Sequence, residues 1–137
     1  MSGQLEKGWE QVTVRVSENY HKVHSFLNYK YINEKLGKKI IDNALIYSLD
    51  RLVVDGFKYK IIPFKGTREP KGFTLKETTT KKVKYYYNFY SLFYEEKFGK
   101  KLFYSEFIEL LIYIYCKNYL DDNDKKYLSV SWYVEEQ

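Results

Sequence analysis

The hexapeptide EKLGKK at residues 34–39 returns as EKFGKK at residues 96–101, five of its six positions identical and 62 residues on (96 − 34). Sliding the chain by 62 sets Val23 on Tyr85, Leu27 on Phe89, Tyr31 on Phe93 and Leu36 on Phe98. Past the shared glycine it sets Ile41 on Phe103, Leu45 on Phe107, Leu49 on Leu111 and Leu52 on Ile114. Apolar meets apolar over roughly thirty positions without a gap, which a chance peptide match would not produce. The chain therefore reads as one unit copied and joined head to tail, and a copy can pair with its sister in the same chain or, strand-swapped, with a copy in a second molecule.

Within a copy the spacing is helical. Val23, Leu27 and Tyr31 recur every four residues, as do Tyr85, Phe89 and Phe93, giving one apolar stripe per copy. Gly37 and Gly99 end these helices, because glycine tolerates the left-handed conformation that closes a helix. Second helices follow, with Ile41, Leu45, Leu49 and Leu52 in the first copy and Phe103, Phe107, Leu111 and Ile114 in the second. The spacing thus predicts helices over 19–36, 40–54, 80–98 and 102–119. Ahead of each pair stands an alternating stretch. In QVTVRVSEN, residues 11–19, Val12, Val14 and Val16 take one face and Gln11, Thr13 and Arg15 the other, with Ser17 a cap for the next helix. In GFTLKET, residues 72–78, Phe73 and Leu75 oppose Thr74 and Lys76. These strands match by 61, Thr13 on Thr74 and Arg15 on Lys76, which implies a longer strand-to-helix joint in copy two, among Thr78, Thr79 and Thr80.

A chain of 137 residues suits one compact domain or two very small ones sharing a core. The net charge of +5 favours a polyanionic partner. Sixteen tyrosines can fill a core with their rings while their hydroxyls reach water or a partner. Cys116 stands alone, so no intrachain disulfide forms, which fits an intracellular protein. Scarce Cys and Met beside plentiful Lys, Glu, Ile and Tyr point to a hot environment. MSGQLEKGWE has no apolar signal region, and the apolar run at 102–116 carries Glu106 and Glu109 and is too short to span a bilayer. No membrane association is expected.

Strand, helix, glycine turn and helix, carried by VTVRVSEN, Gly37, FTLK and Gly99, resemble the ribbon-helix-helix DNA-binding family. Two copies in one chain most resemble the tandem ribbon-helix-helix regulators of crenarchaeal filamentous viruses, over residues 11–54 and 72–119. The resemblance implies a mainly α fold with a short antiparallel β-ribbon whose polar face enters the major groove of double-stranded DNA. By family position the base contacts would be Gln11, Thr13 and Arg15 with Thr74 and Lys76. Arg can donate two bonds to guanine, Gln can pair with adenine, and Thr can bond a base or touch a thymine methyl. Members also anchor phosphates at the N-terminus of the second helix; the matching residues are Lys38, Lys39, Lys100 and Lys101. The chain departs from the family here, with lysine where a small hydroxyl residue follows the glycine. Pairing the two copies also makes physical sense, since a lone strand with two helices can neither satisfy its edge nor bury its apolar face.

Other residues carry no comparable signal. His21 and His24 have metal-like spacing without a third ligand at a recognisable distance. Cys116, in an apolar helix with no adjacent base, reads as an inert core thiol. Glu34, Glu96, Glu106 and Glu109 read as solvated helix positions paired with lysine. No catalytic residue, metal, cofactor or small-molecule ligand is expected. The organisation is then an N-terminal arm (1–10), unit one (11–55), a linker with a strand in FKYKIIPF (56–71), unit two (72–120) and a tail (121–137). DDND at 121–124 marks a turn, after which the tail alternates through Leu128, Val130 and Trp132. Linker and tail can form an extra hairpin with one another, or the tail can dock on a neighbouring molecule.

The function expected is a sequence-specific DNA-binding transcription regulator that self-associates on DNA. An adapter or antitoxin module with a protein target, and a protein coating DNA without sequence preference, are the rivals.

Overall fold

The computed structural model describes residues 7–31, 39–55, 58–62, 65–128 and 134–137. The chain is mainly helical with two short antiparallel two-stranded sheets. Its order is strand β1 (Trp9–Val16), helices α1 (Glu18–Tyr31) and α2 (Ile40–Asp55), and strands β2 (Tyr59–Ile61) and β3 (Glu69–Lys76). Helices α3 (Glu77–Phe98), α4 (Tyr104–Tyr119) and α5 (Asp122–Leu128) follow, and strand β4 (Val134–Glu136) ends the series.

Strand alternation sets the first sheet. Val14 and Val16 of β1 and Phe73 and Leu75 of β3 are buried, so β-branched and large apolar side chains line one face and polar ones the other. The strands pair within one chain, Trp9 opposite Lys76 through Val16 opposite Glu69. Val12 lies opposite Phe73. These two residues are equivalent in the 61-residue match, so the local twofold of the ribbon passes between them. Beneath it α2 and α4 pack together, burying Ile41, Ala44, Leu45 and Leu49 against Phe107, Leu110, Leu111 and Ile114. Ser48 donates to the carbonyl of Leu111 at 2.5 Å, so the hydroxyl at this apolar seam is satisfied.

Helix α3 differs from expectation in two linked ways. No longer joint exists in copy two: β3 runs directly into α3, and Thr78, Thr79 and Thr80 are its first turn. The Glu77 N–H donates to the carbonyl of Gly8 at 2.8 Å, and Thr79 and Thr80 are buried. Counted from the strand ends, Val16 and Lys76, the helices that follow are offset by 60 (76 − 16), one less than the 61 that matches the strand faces and two less than the 62 set by the glycine turns. Two residues rotate a helix by about 200°. Val23 therefore corresponds to buried Val83, and the inward stripe is Thr80, Val83, Tyr90 and Tyr94. Tyr85, Phe89 and Phe93, the stripe that periodicity singles out, are exposed. Gly99 does end α3, in the left-handed conformation at φ +69° with its N–H on the carbonyl of Glu95. Gly37 lies outside the described residues.

Linker and tail meet. β2 pairs antiparallel with β4, Tyr59 opposite Glu136 and Ile61 opposite Val134. The Lys117 ammonium also pairs with the Glu136 carboxylate, tying this strand pair, which joins distant parts of the chain rather than forming a hairpin, to α4. DDND opens a helix rather than a simple turn, with Asp122–Asp124 in the first turn of α5. The Asp121 carboxylate accepts from the Asp124 N–H at 2.8 Å, so a turn-forming residue here caps and starts α5. Leu128 consequently ends a helix instead of opening a strand; Val130 and Trp132 lie outside the described residues.

Candidate nucleic-acid interface

The outward face of the β1–β3 ribbon brings together the five residues singled out for base contact. Gln11, Thr13 and Arg15 are exposed on β1; Thr74 is half-buried and Lys76 exposed on β3. Gln11 lies opposite Thr74, whose hydroxyl donates to the Gln11 side-chain oxygen at 3.1 Å. Thr13 faces Gly72, and Arg15 faces Pro70, so the second strand offers no polar side chain at these two positions. A Cβ on Gly72 would lie 2.7 Å from Nε2 of Gln11, so the bare glycine is what lets Gln11 lie across the ribbon. The Arg15 guanidinium donates weakly to the carbonyl of Arg68 at 3.4 Å.

Cations mark the two ends. Lys76 faces Trp9 across the ribbon, six residues from Arg15, or about 20 Å along a strand. Over the Trp9 ring stand two amino groups, Lys39 at 5.3 Å and Lys76 at 5.5 Å from its centroid. Attraction between a cation and the ring favours each ammonium at this end of the ribbon. Lys39 is exposed immediately before α2, and Lys38 lies outside the described residues. Lys100 and Lys101 are exposed, but α4 starts only at Tyr104, so they sit ahead of its first turn. That turn already holds an anion, because the Glu106 carboxylate accepts from the Phe103 N–H at 2.9 Å. The first turn of α2 likewise contains Asp42, which accepts from the Lys76 N–H at 2.9 Å. Helix N-termini with built-in carboxylates are poor phosphate cradles. Any phosphate contact near them falls to the lysine ammonium groups.

A polar clamp holds the far end of the ribbon. The Glu109 carboxylate, projecting from α4, accepts from the Ser17 N–H at 2.9 Å, from the Ser17 hydroxyl, and from the Arg68 guanidinium at 2.6 Å. Arg68 also donates to the carbonyl of Arg15 at 3.4 Å. Glu109 is thus no solvated lysine partner: it joins the end of β1 to the segment entering β3. Sequence reasoning missed it; its one trace is an acidic residue within the most apolar helix. Ser17 does precede α1 as expected, its hydroxyl accepting from the Tyr20 N–H at 3.4 Å.

His24 is half-buried beside Asn28, with 3.1 Å between its Nδ1 and the Asn28 amide nitrogen. Burial, helped by the charge of Lys71, lowers its pKa to about 4. Among the described residues no group of three His, Cys, Asp or Glu side chains could hold a metal ion. Cys116 is buried, and burial pushes its thiol up to about 12. Tyr20, Ile61, Arg68 and Glu109 line a cleft of about 30 Å³, enough for a water molecule. No described helix is long and apolar enough to cross a membrane. No protein-family model, curated protein or solved structure matches this chain.

Proposed function

We propose that the protein is a sequence-specific double-stranded DNA-binding transcription regulator, with two ribbon-helix-helix units in one chain (11–55 and 72–120). The observation that carries this reading is the ribbon itself. Its apolar face rests on the helices, while Gln11, Thr13, Arg15, Thr74 and Lys76 stand on the opposite face. A two-stranded ribbon fits the major groove, and those side chains can address base edges there. The net charge of +5 supports a polyanionic partner. The copies present different side chains, so the sequence read would be an imperfect palindrome. Arg15 is the anchor for guanine; Lys76, with Lys39 over Trp9, supplies positive charge at the other end.

A second reading has one observation behind it. Gly72 and Pro70 leave half of the second strand without base-reading groups, as suits a protein that coats DNA through phosphates. Fluorescence anisotropy separates the two. Labelled duplex from upstream of the protein's own gene is compared with a scrambled duplex over a range of salt concentrations. Under the regulator reading the native duplex binds more tightly at every salt concentration, and Arg15→Ala weakens it by about 1–3 kcal/mol while relaxing one position. Equal, steeply salt-dependent binding to both duplexes would support coating instead. If neither binds at low salt, the DNA-binding reading fails.

A further inference from the structure

The apolar stripe that α3 turns to solvent has a definite composition. Tyr85 is 68% exposed, Phe89 52% and Leu92 69%, and the Phe89 ring rests on Phe93 at 4.9 Å. At 100° per residue, Tyr85, Asn88, Phe89 and Leu92 share an arc of about 100°. Exposed Lys81 and Glu96 fall within that same arc, one at each end of the stripe, about 22 Å apart along the helix. The midpoint between Lys81 and Glu96 falls between Asn88 and Phe89, and Tyr85 and Leu92 are equidistant from it. A stripe with opposite charges at its two ends and a centre of symmetry in its middle is complementary to itself when turned end for end.

We infer that this face of α3 is the interface of a homodimer in which two α3 helices cross antiparallel about a twofold axis beside Asn88 and Phe89. Each Tyr85 then meets the partner's Leu92, Asn88 meets the partner's Phe89, and Lys81 meets the partner's Glu96. Every contact occurs twice, as a closed twofold interface requires. Parallel or displaced pairing would set like charges together or leave aromatic surface in water. The stripe exposes about 400 Å² of apolar residues and, with Asn88 and its charged ends, about 500 Å² per copy, so pairing removes about 1,000 Å², the lower bound for a specific interface. An apolar patch of about 400 Å² is of the size of the largest on a typical monomer, and patches of that size often mark interaction sites. The inference does not depend on DNA binding, since none of these residues lies on the ribbon.

The test is sedimentation of the full-length protein without DNA, with circular dichroism as the control for folding. Wild type is expected as a dimer, twice 16.6 kDa, at about 50 μM. Leu92→Glu, on an exposed position, keeps the helical spectrum and raises the dimer dissociation constant by about 100-fold or more. Lys81→Glu alone raises it by about 10-fold, since each change places like charges together twice. Adding Glu96→Lys to Lys81→Glu restores opposite charges and brings the constant back to within about threefold of wild type. A monomer at 50 μM would overturn the inference. A dimer that survives Leu92→Glu, or a charge swap that fails to restore association, would overturn it equally, placing the contact elsewhere or giving the face to another partner.

Discussion

Replacing Glu109 by Gln keeps the shape of the side chain and removes its charge. The carboxylate that accepts from both donors of Ser17 and from Arg68 becomes an amide with a single acceptor oxygen. One of its neighbours must lose a charge-assisted bond, and Arg68 loses the charge of the Glu109 carboxylate. Side chains at this pair are 22% and 19% exposed, so water compensates only in part. Charge-assisted bonds in such surroundings contribute about 1.5–3 kcal/mol, which puts the cost near 2 kcal/mol. Unfolding a chain of this length carries an entropy near 0.3 kcal/mol/K, so Tm should fall by about 7 °C. Glu106→Gln is the internal control. That carboxylate caps the exposed start of α4, and its loss should cost about 0.5–1 kcal/mol. Thermal melts and urea titrations followed by circular dichroism measure both variants. If Glu109→Gln melts within 2 °C of wild type, or no lower than Glu106→Gln, the clamp does not join the ends of the ribbon as described.

Two further outcomes follow from particular contacts. Gly72→Ala places a methyl against the Gln11 amide, the end of a flexible side chain that can swing away. Stability should hold or rise by up to about 0.5–1 kcal/mol from the stiffer unfolded chain, while DNA discrimination at the Gln11 position drops; a large loss in Tm would mean that the backbone, not the side chain, has to move. His24 is neutral in the folded protein down to a pH of about 4, whereas the unfolded chain takes up its proton below about 6.5. Its contribution to stability is therefore complete above pH 6.5 and declines as pH falls to 4, by about 1–2 kcal/mol once partial exposure is allowed for. Urea titrations of wild type and His24→Asn at pH 7 and pH 4.5 check this, and an equal loss in both proteins would remove His24 as the cause.

Much of the ribbon was legible because its signal is local. Val12, Val14 and Val16 alternate strictly, and the offset of 61 between the strands matches the Val12–Phe73 pair at the ribbon's centre. The second helix pair was legible for the same reason, since apolar positions such as Leu45, Leu49, Phe107 and Leu111 sit at helical spacing and are buried. The facing of α3 was not. Its sequence holds two apolar stripes, and periodicity ranks Tyr85, Phe89 and Phe93 above Thr80, Val83 and Tyr90. The choice is made by where the strand hands over to the helix, a two-residue matter that no periodicity measures. Glu109 was illegible for a related reason. Its partners Ser17 and Arg68 are 92 and 41 residues away, so nothing near it in sequence distinguishes a clamp from a solvated carboxylate. Asp121 shows the limit of turn signals, because the chemistry that closes a turn also caps a helix.

Selection from a pool of random duplexes tests the proposed base reading by the ribbon most directly. Full-length protein is carried through successive rounds of binding at moderate salt, beside Arg15→Ala. Wild type should enrich a short shared motif containing an invariant guanine, and Arg15→Ala should enrich the same motif with that guanine relaxed. Bound duplexes with no common motif, or motifs identical for both proteins, would contradict it.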